Sequence, residues 1–206
     1  MMRVYAVGAA VTVAALLGAT WYVTSGAGED KFAQCRASAV GTGVASIGGP
    51  FELTDENGKL VTDKDVITKP TLVYFGYTFC PDVCPLDNAR NAEALDLLQA
   101  EGYDAQMAFI SIDPERDGVE EVRDFTDYLH PDMIGLTGTP EQVKAASQAY
   151  KTYYRKQDGD PEYYLVDHST FTYLVTPEDG FLEFFKRDDT AQDMAKRVSC
   201  FIGAAK

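Results

Sequence analysis

Residues 71–85 read Thr71-Leu72-Val73-Tyr74-Phe75-Gly76-Tyr77-Thr78-Phe79-Cys80-Pro81-Asp82-Val83-Cys84-Pro85. The first five are apolar, aromatic or β-branched, the composition of a strand buried on both faces. That strand runs through Gly76 to Phe79 and delivers two cysteines with three residues between them. A helix-like stretch follows from Leu86 to Ala100, with Ala94, Leu95 and Leu98 on one stripe and Gly102 beyond its end.

The flanks extend the same alternation. Phe51–Leu53 and Leu60–Thr62 enclose Asp55-Glu56-Asn57-Gly58, whose Asn-Gly marks a hairpin. Met107–Ile112 is a second buried strand, stopped by Asp113-Pro114. Val119–Leu129 is helical, with Val122, Phe125 and Leu129 at spacings of three and four. Met133–Leu136 is a short strand, and Pro140 opens a helix expected to reach about Tyr154, with Thr139 as its N-cap. Phe171–Val175 and Phe181–Phe185 form a hairpin, and a last helix is expected from about Thr190 to Phe201. Strands alternating with helices argue a parallel core with an antiparallel edge. A strand feeding a cysteine pair at a helix N-terminus is the thioredoxin arrangement, so the expected fold class is α/β, thioredoxin-like.

Charge divides the 206 residues into two parts. Residues 1–28 hold one charged side chain, Arg3, whereas all 32 acids lie beyond them in a chain of net charge −14. So acidic a body argues against nucleic acid as a partner, since that binding rests on basic contacts to phosphate. It suits a partner with basic surface. From Val4 to Thr24 the leader is uncharged, long enough as a helix to span roughly 30 Å, one bilayer core. Tyr5, Trp21 and Tyr22 suit the interfacial belts, and Arg3 marks the inner end. A cleaved signal peptide would have a shorter apolar region and a small-residue cleavage site. The expected organisation is a transmembrane anchor at 1–24, a Gly/Ser/Ala-rich flexible linker at 25–48 and a folded domain at 49–206.

An exported body sits in an oxidising compartment, where Cys35, Cys80, Cys84 and Cys200 should each be paired, metal-bound or redox-active. A helix starting near Pro85 places unpaired N–H groups and the helix dipole beside Cys80 and Cys84, stabilising thiolate. Two such thiolates can close a disulfide or grip a soft cation; a static packing pair is the bland alternative. Of two histidines, His130 sits at a helix end where a cap suffices. His168 lies between the apolar run Tyr163–Val166 and the strand starting at Phe171, and alone would read as a hydrogen-bonded structural residue. With the cysteine pair it completes a soft set of two sulfurs and one nitrogen, suited to Cu(I) and, through the imidazole, to Cu(II). Zinc competes, but a structural zinc site wants four protein ligands.

Three ordered stretches, Tyr74–Pro85, Ser111–Asp117 and Val166–Ser169, resemble the Sco/SenC family over about residues 49–185. The resemblance implies a membrane-tethered, thioredoxin-like protein that binds one copper ion through Cys80, Cys84 and His168. It implies assembly of the dinuclear copper site of cytochrome c oxidase subunit II, with another copper chaperone as candidate donor. Some family members are instead credited with thiol–disulfide reduction or redox sensing. The implied location is the bacterial inner membrane with the domain in the periplasm, or the mitochondrial equivalent. A peroxiredoxin-like activity is disfavoured because Thr78 stands at the wrong offset from Cys80.

Asp82 and Asp167 match family acids beside the ligands. Each reads either as a carboxylate that accepts the imidazole's other N–H or orients the cysteine loop, or as a turn former. Asp113–Asp117 reads as loop architecture with an internal ion pair, and Tyr77 as a shield for the metal, a partner contact or core packing. Cys35 and Cys200 bracket the body outside these stretches. They are expected to join the linker to the last helix, the alternative being an intermolecular bond or a free Cys35.

Overall fold

The computed structural model describes residues 13–21, 30–37, 47–160 and 163–205. Among the described residues nine strands are β1 (Glu52–Asp55), β2 (Leu60–Thr62), β3 (Thr71–Gly76), β4 (Gln106–Ser111), β5 (Met133–Thr137), β6 (Tyr154–Lys156), β7 (Val166–His168), β8 (Thr172–Thr176) and β9 (Gly180–Phe185). Helices in the folded body are α1 (Asp63–Val66), α2 (Val83–Ala100), α3 (Val119–Leu129), α4 (Pro140–Ala149) and α5 (Ala191–Ala205), and a 3-10 turn covers Ala33–Cys35.

Seven strands form one sheet in the order β2-β1-β5-β4-β3-β8-β9. β3, β4 and β5 are parallel, and the β1–β2 and β8–β9 hairpins add antiparallel strands at both edges. Every residue of β3 and β4 is buried. That is why these two strands read as continuous apolar runs rather than alternating ones. α2 packs on α5 and α3 lies against β5, closing the α/β core that the sequence implies.

Two departures concern the part of the chain that carries His168. α4 ends at Ala149, not near Tyr154. Lys151 adopts φ 55°, and Thr152 N–H reaches back to the Ser147 carbonyl at 3.0 Å, a left-handed C-terminal cap made without glycine. Tyr154–Lys156 then becomes β6 and pairs antiparallel with β7, a two-stranded sheet separate from the main one. The start of α2 also moves, from Leu86 to Val83, with Pro85 tolerated in the first turn because its missing N–H has no partner to lose there.

Cys35 and Cys200 form a disulfide, their Cα atoms 5.6 Å apart. It holds residues 30–37, part of the segment read as linker, against the domain. Phe32 is buried there against Phe201, with ring centroids 5.6 Å apart. Of the expected anchor Val4–Thr24, residues 13–21 are helical and exposed, and the remainder lies outside the described residues. No helix among the described residues is long and apolar enough to cross a membrane.

Candidate metal centre

β3 ends at Gly76, the chain turns through Tyr77–Asp82, and α2 begins at Val83. Asp82 occupies the N-cap position but its side chain makes no capping bond. The cap is sulfur instead: Cys84 N–H donates to Cys80 Sγ at 3.3 Å. An N–H that the helix leaves unpaired therefore points at a thiolate, with the positive end of the helix dipole behind it. Gly76 lets Cys84 come close, since a Cβ there would stand 2.9 Å from Cys84 Sγ and 2.9 Å from the Tyr74 ring. An isolated glycine at the end of an apolar strand is the signal for such an approach.

His168 closes the site from β7. Its Nε2 lies 3.4 Å from Cys84 Sγ, and the donor atoms of Cys80, Cys84 and His168 all fall within 4.8 Å of one another. Nδ1 sits 2.9 Å from the backbone carbonyl of Ser169. A carbonyl only accepts, so the proton is assigned to Nδ1, and Nε2 turns its lone pair toward the sulfurs. Tyr77 and Tyr74 present rings edge-on to the imidazole, with centroids at 5.9 and 6.3 Å. Both tyrosines are buried, so Tyr77 packs the core and walls the site at once.

The two sulfurs are not equivalent. Cys80 is held far below the ordinary thiol range: the Cys84 thiol donates to it, the backbone N–H groups of Asp82 and Cys84 add to this, and burial opposes them. Cys84, fully buried, is pushed upward by burial first and by the hydrogen bond its thiol gives to Cys80 second. Tyr77 is pushed up to about 12, mainly by burial. The resting arrangement is a thiolate beside a thiol, with Cys80 and the half-buried His168 nearer the surface than Cys84.

Residues 40–203 match the SCO1/SenC family. The chain belongs to that family. It is 55% identical over 176 residues to protein SenC of Rhodobacter capsulatus, across 85% of this chain and 79% of that protein. The structure of Arabidopsis thaliana ScoI with copper bound is similar at TM-score 0.73 and 40% identity, covering 76% of this chain and 99% of that one. Bradyrhizobium japonicum ScoI with copper bound is similar at TM-score 0.67 and 37% identity, covering 74% and 98%.

Within this SCO1/SenC domain the two acids expected beside the ligands sit differently from the reading of the sequence. Asp167 does not take the imidazole proton. Its carboxylate accepts from Gln157 at 2.6 Å and from Arg155 at 3.1 Å, because alternation along β7 sends neighbouring side chains to opposite faces. Asp82 acts through its backbone, not its exposed carboxylate. His130 is structural, as expected: Asp132 N–H donates to its Nδ1 at 3.0 Å, and Nε2 lies 3.2 Å from Asp96. Gly76 and the Ser169 carbonyl were missed as parts of the site. The carbonyl leaves no trace in a sequence, because every residue has one.

Proposed function

We propose that this protein binds one copper ion through Cys80, Cys84 and His168 and delivers it to, or helps assemble, the dinuclear copper site of cytochrome c oxidase subunit II. The observation that carries the reading is the meeting of three soft donors within 4.8 Å, with the imidazole lone pair turned inward by Ser169. Two sulfurs and one nitrogen suit Cu(I), and the imidazole accommodates Cu(II). Among the described residues no further Cys, His, Asp or Glu joins the cluster, which disfavours a structural zinc. Copper is cargo here, so an incomplete ligand shell is an advantage. An acceptor's ligands can enter at the more accessible Cys80 and His168 and displace the three donors one at a time. Relatives solved with copper bound support the choice of ion.

Loading displaces the Cys84 thiol proton, so binding releases protons and weakens in acid. Exposed Phe79 and Leu86 flank the cysteines, and exposed Leu165 and Phe171 flank the histidine, an apolar rim for the acceptor to cover. We read residues 1–24 as the single anchor in the bacterial inner membrane, 25–48 as its linker and 49–206 as a periplasmic copper-binding domain. A separate copper chaperone is the candidate donor.

A second reading, reduction of the acceptor's disulfide or redox sensing, is favoured by one feature: Cys80 is a thiolate with a thiol beside it to resolve a mixed disulfide. His168 separates the two. Full-length chain with Cys80 and Cys84 reduced and the Cys35–Cys200 disulfide intact is titrated with Cu(I) against a chromophoric chelator, beside His168→Ala. One tight copper per chain, bound at least about tenfold more weakly in the variant, is the expected result, a loss of the size seen when a ligand's support fails. Binding indifferent to His168, or absent, leaves a dithiol protein and transfers the case to thiol–disulfide exchange.

A further inference from the structure

The loop from Asp113 to Asp117 touches both halves of the metal centre without belonging to either. At one end Asp117, fully buried, accepts from Thr78 N at 2.9 Å, Thr78 Oγ1 at 2.6 Å and Ser111 Oγ at 2.6 Å. Thr78 stands two residues before Cys80, so this carboxylate holds the cysteine turn. Thr137 Oγ1 donates to the Asp117 carbonyl at 2.6 Å, tying the same residue to β5.

At the other end the loop grips the hairpin that carries His168. Asp113 Oδ1 accepts from the Tyr164 hydroxyl at 2.6 Å and Oδ2 from Arg116 Nε at 2.6 Å. The Arg116 guanidinium lies 3.6 Å from the Tyr164 ring centroid and 5.0 Å from that of Phe79, so it is sandwiched between the two ligand-bearing segments. Lys156 of β6 pairs with Glu115 at 2.5 Å and also lies over the Tyr164 ring. Among the described residues β6 and β7 pair only with each other. The hairpin thus borrows no register from the main sheet; Val166 N–H donates to the Tyr77 hydroxyl, and side-chain contacts from the hairpin do the rest in setting where His168 stands. Burying Asp113 and Asp117 is costly unless each finds its partners, which makes the loop geometry specific rather than adaptable.

We propose that the Asp113–Asp117 loop is the spacer that fixes the separation between the cysteine pair and His168, with Arg116 and Tyr164 as positioning residues for the imidazole. The inference rests on the reading of His168 as a copper ligand. Two thiolates alone still hold Cu(I), though more weakly, whereas Cu(II) depends more strongly on the nitrogen. Loosening the spacer therefore weakens Cu(II) more than Cu(I) and alters the thiolate-to-copper charge-transfer absorption and the electron paramagnetic resonance of the Cu(II) form.

The test is a double-mutant cycle on the full chain, with wild type, Arg116→Gln, His168→Ala and the double variant each titrated with Cu(II) and Cu(I) ions against chelators. Arg116→Gln is expected to lower Cu(II) affinity about tenfold, the size of effect seen when a group orienting a metal ligand is removed. Its spectra shift toward those of His168→Ala, and the double variant binds no more weakly than His168→Ala alone. Tyr164→Phe keeps the ring and loses only the hydroxyl. It is expected to give a smaller loss of the same kind, and it decides the matter if Arg116→Gln does not fold. An equal loss with and without His168 overturns the proposal, because the loop would then be merely structural. Unchanged affinity and spectra in both positioning variants overturn it as well. If His168→Ala itself changes nothing, the ligand assignment fails first and the spacer falls with it.

Discussion

The protein puts the same side chain to two uses. Around Cys35 and Cys200 the surroundings are rings and ion pairs. Phe32 packs on Phe201, Arg36 pairs with Asp30 at 3.1 Å, and the buried Glu183 carboxylate accepts from Ala37 N at 3.0 Å and from Arg197 at 2.9 Å. The crosslink joins a segment to a helix already packed against it. Around Cys80, by contrast, the Cys84 thiol and the backbone N–H groups of Asp82 and Cys84 donate to sulfur. Both sites are largely shielded from water, so burial alone does not decide a cysteine's chemistry. What decides it is whether the surrounding groups stabilise a negative sulfur.

Removing each pair should therefore break different properties. Closing a loop whose ends are 165 residues apart stabilises by about 5 kcal/mol in the chain-entropy model, so Cys35→Ala with Cys200→Ala should lower the unfolding free energy by up to that amount. Copper affinity of the folded variant should stay within about twofold of wild type, as expected for sites without shared partners. Cys80→Ser with Cys84→Ser should show the opposite profile, with copper binding lost and a smaller loss of stability. Denaturant unfolding without reductant, paired with chelator competition, reads both. A disulfide variant that folds but no longer holds copper would show that the two regions are coupled after all.

The contrast sharpens with pH. The folded protein holds Cys80 far below the ordinary thiol range, so its thiolate is present above that lowered value and is lost only as pH falls through it. Alkylation of the reduced protein by iodoacetamide, followed at Cys80 by peptide mass, should change little from about pH 8 to about pH 5. An ordinary thiol, with a pKa near 8.5, would slow about tenfold for each pH unit below that value. Cys84, pushed the other way, should be modified much more slowly at every pH. A Cys80 rate that falls tenfold per unit from neutrality downward would mean that nothing in the fold favours its thiolate.

The sheet was legible because β3 and β4 are buried throughout and so carry unbroken apolar runs. The three donors were legible because soft-metal chemistry uses few residue types and the chain has two histidines and four cysteines. The hairpin under His168 was not. Tyr154–Lys156 looks like the tail of a helix until Lys151 ends that helix in a left-handed conformation with no glycine to announce it. The internal Asp113–Arg116 pair was readable from its spacing. Contacts from the same loop to Thr78 and Tyr164 join residues 39 and 51 positions apart, and local pattern carries no information about them. Gly76 stood in plain view, but its reason, the approach of Cys84, needs the third dimension.

Asp167 gives the smallest and most discriminating effect. Sitting beside a candidate ligand, its carboxylate is the natural acceptor for an imidazole N–H, and losing such support commonly costs tenfold or more in metal affinity. The structure gives that proton to the Ser169 carbonyl at 2.9 Å and turns Asp167 toward Gln157 and Arg155 on the exposed face of the hairpin. Those hydrogen bonds, the one from Gln157 first, hold the carboxyl below its usual range, but they are open to water and contribute little to holding the hairpin. Asp167→Asn should therefore change Cu(I) and Cu(II) affinity by less than about twofold, while His168→Ala in the same titration loses tenfold or more. A tenfold loss in Asp167→Asn would mean that the carboxylate supports His168 in the metal-bound protein. The imidazole would then have exchanged its backbone partner for a charged one on loading.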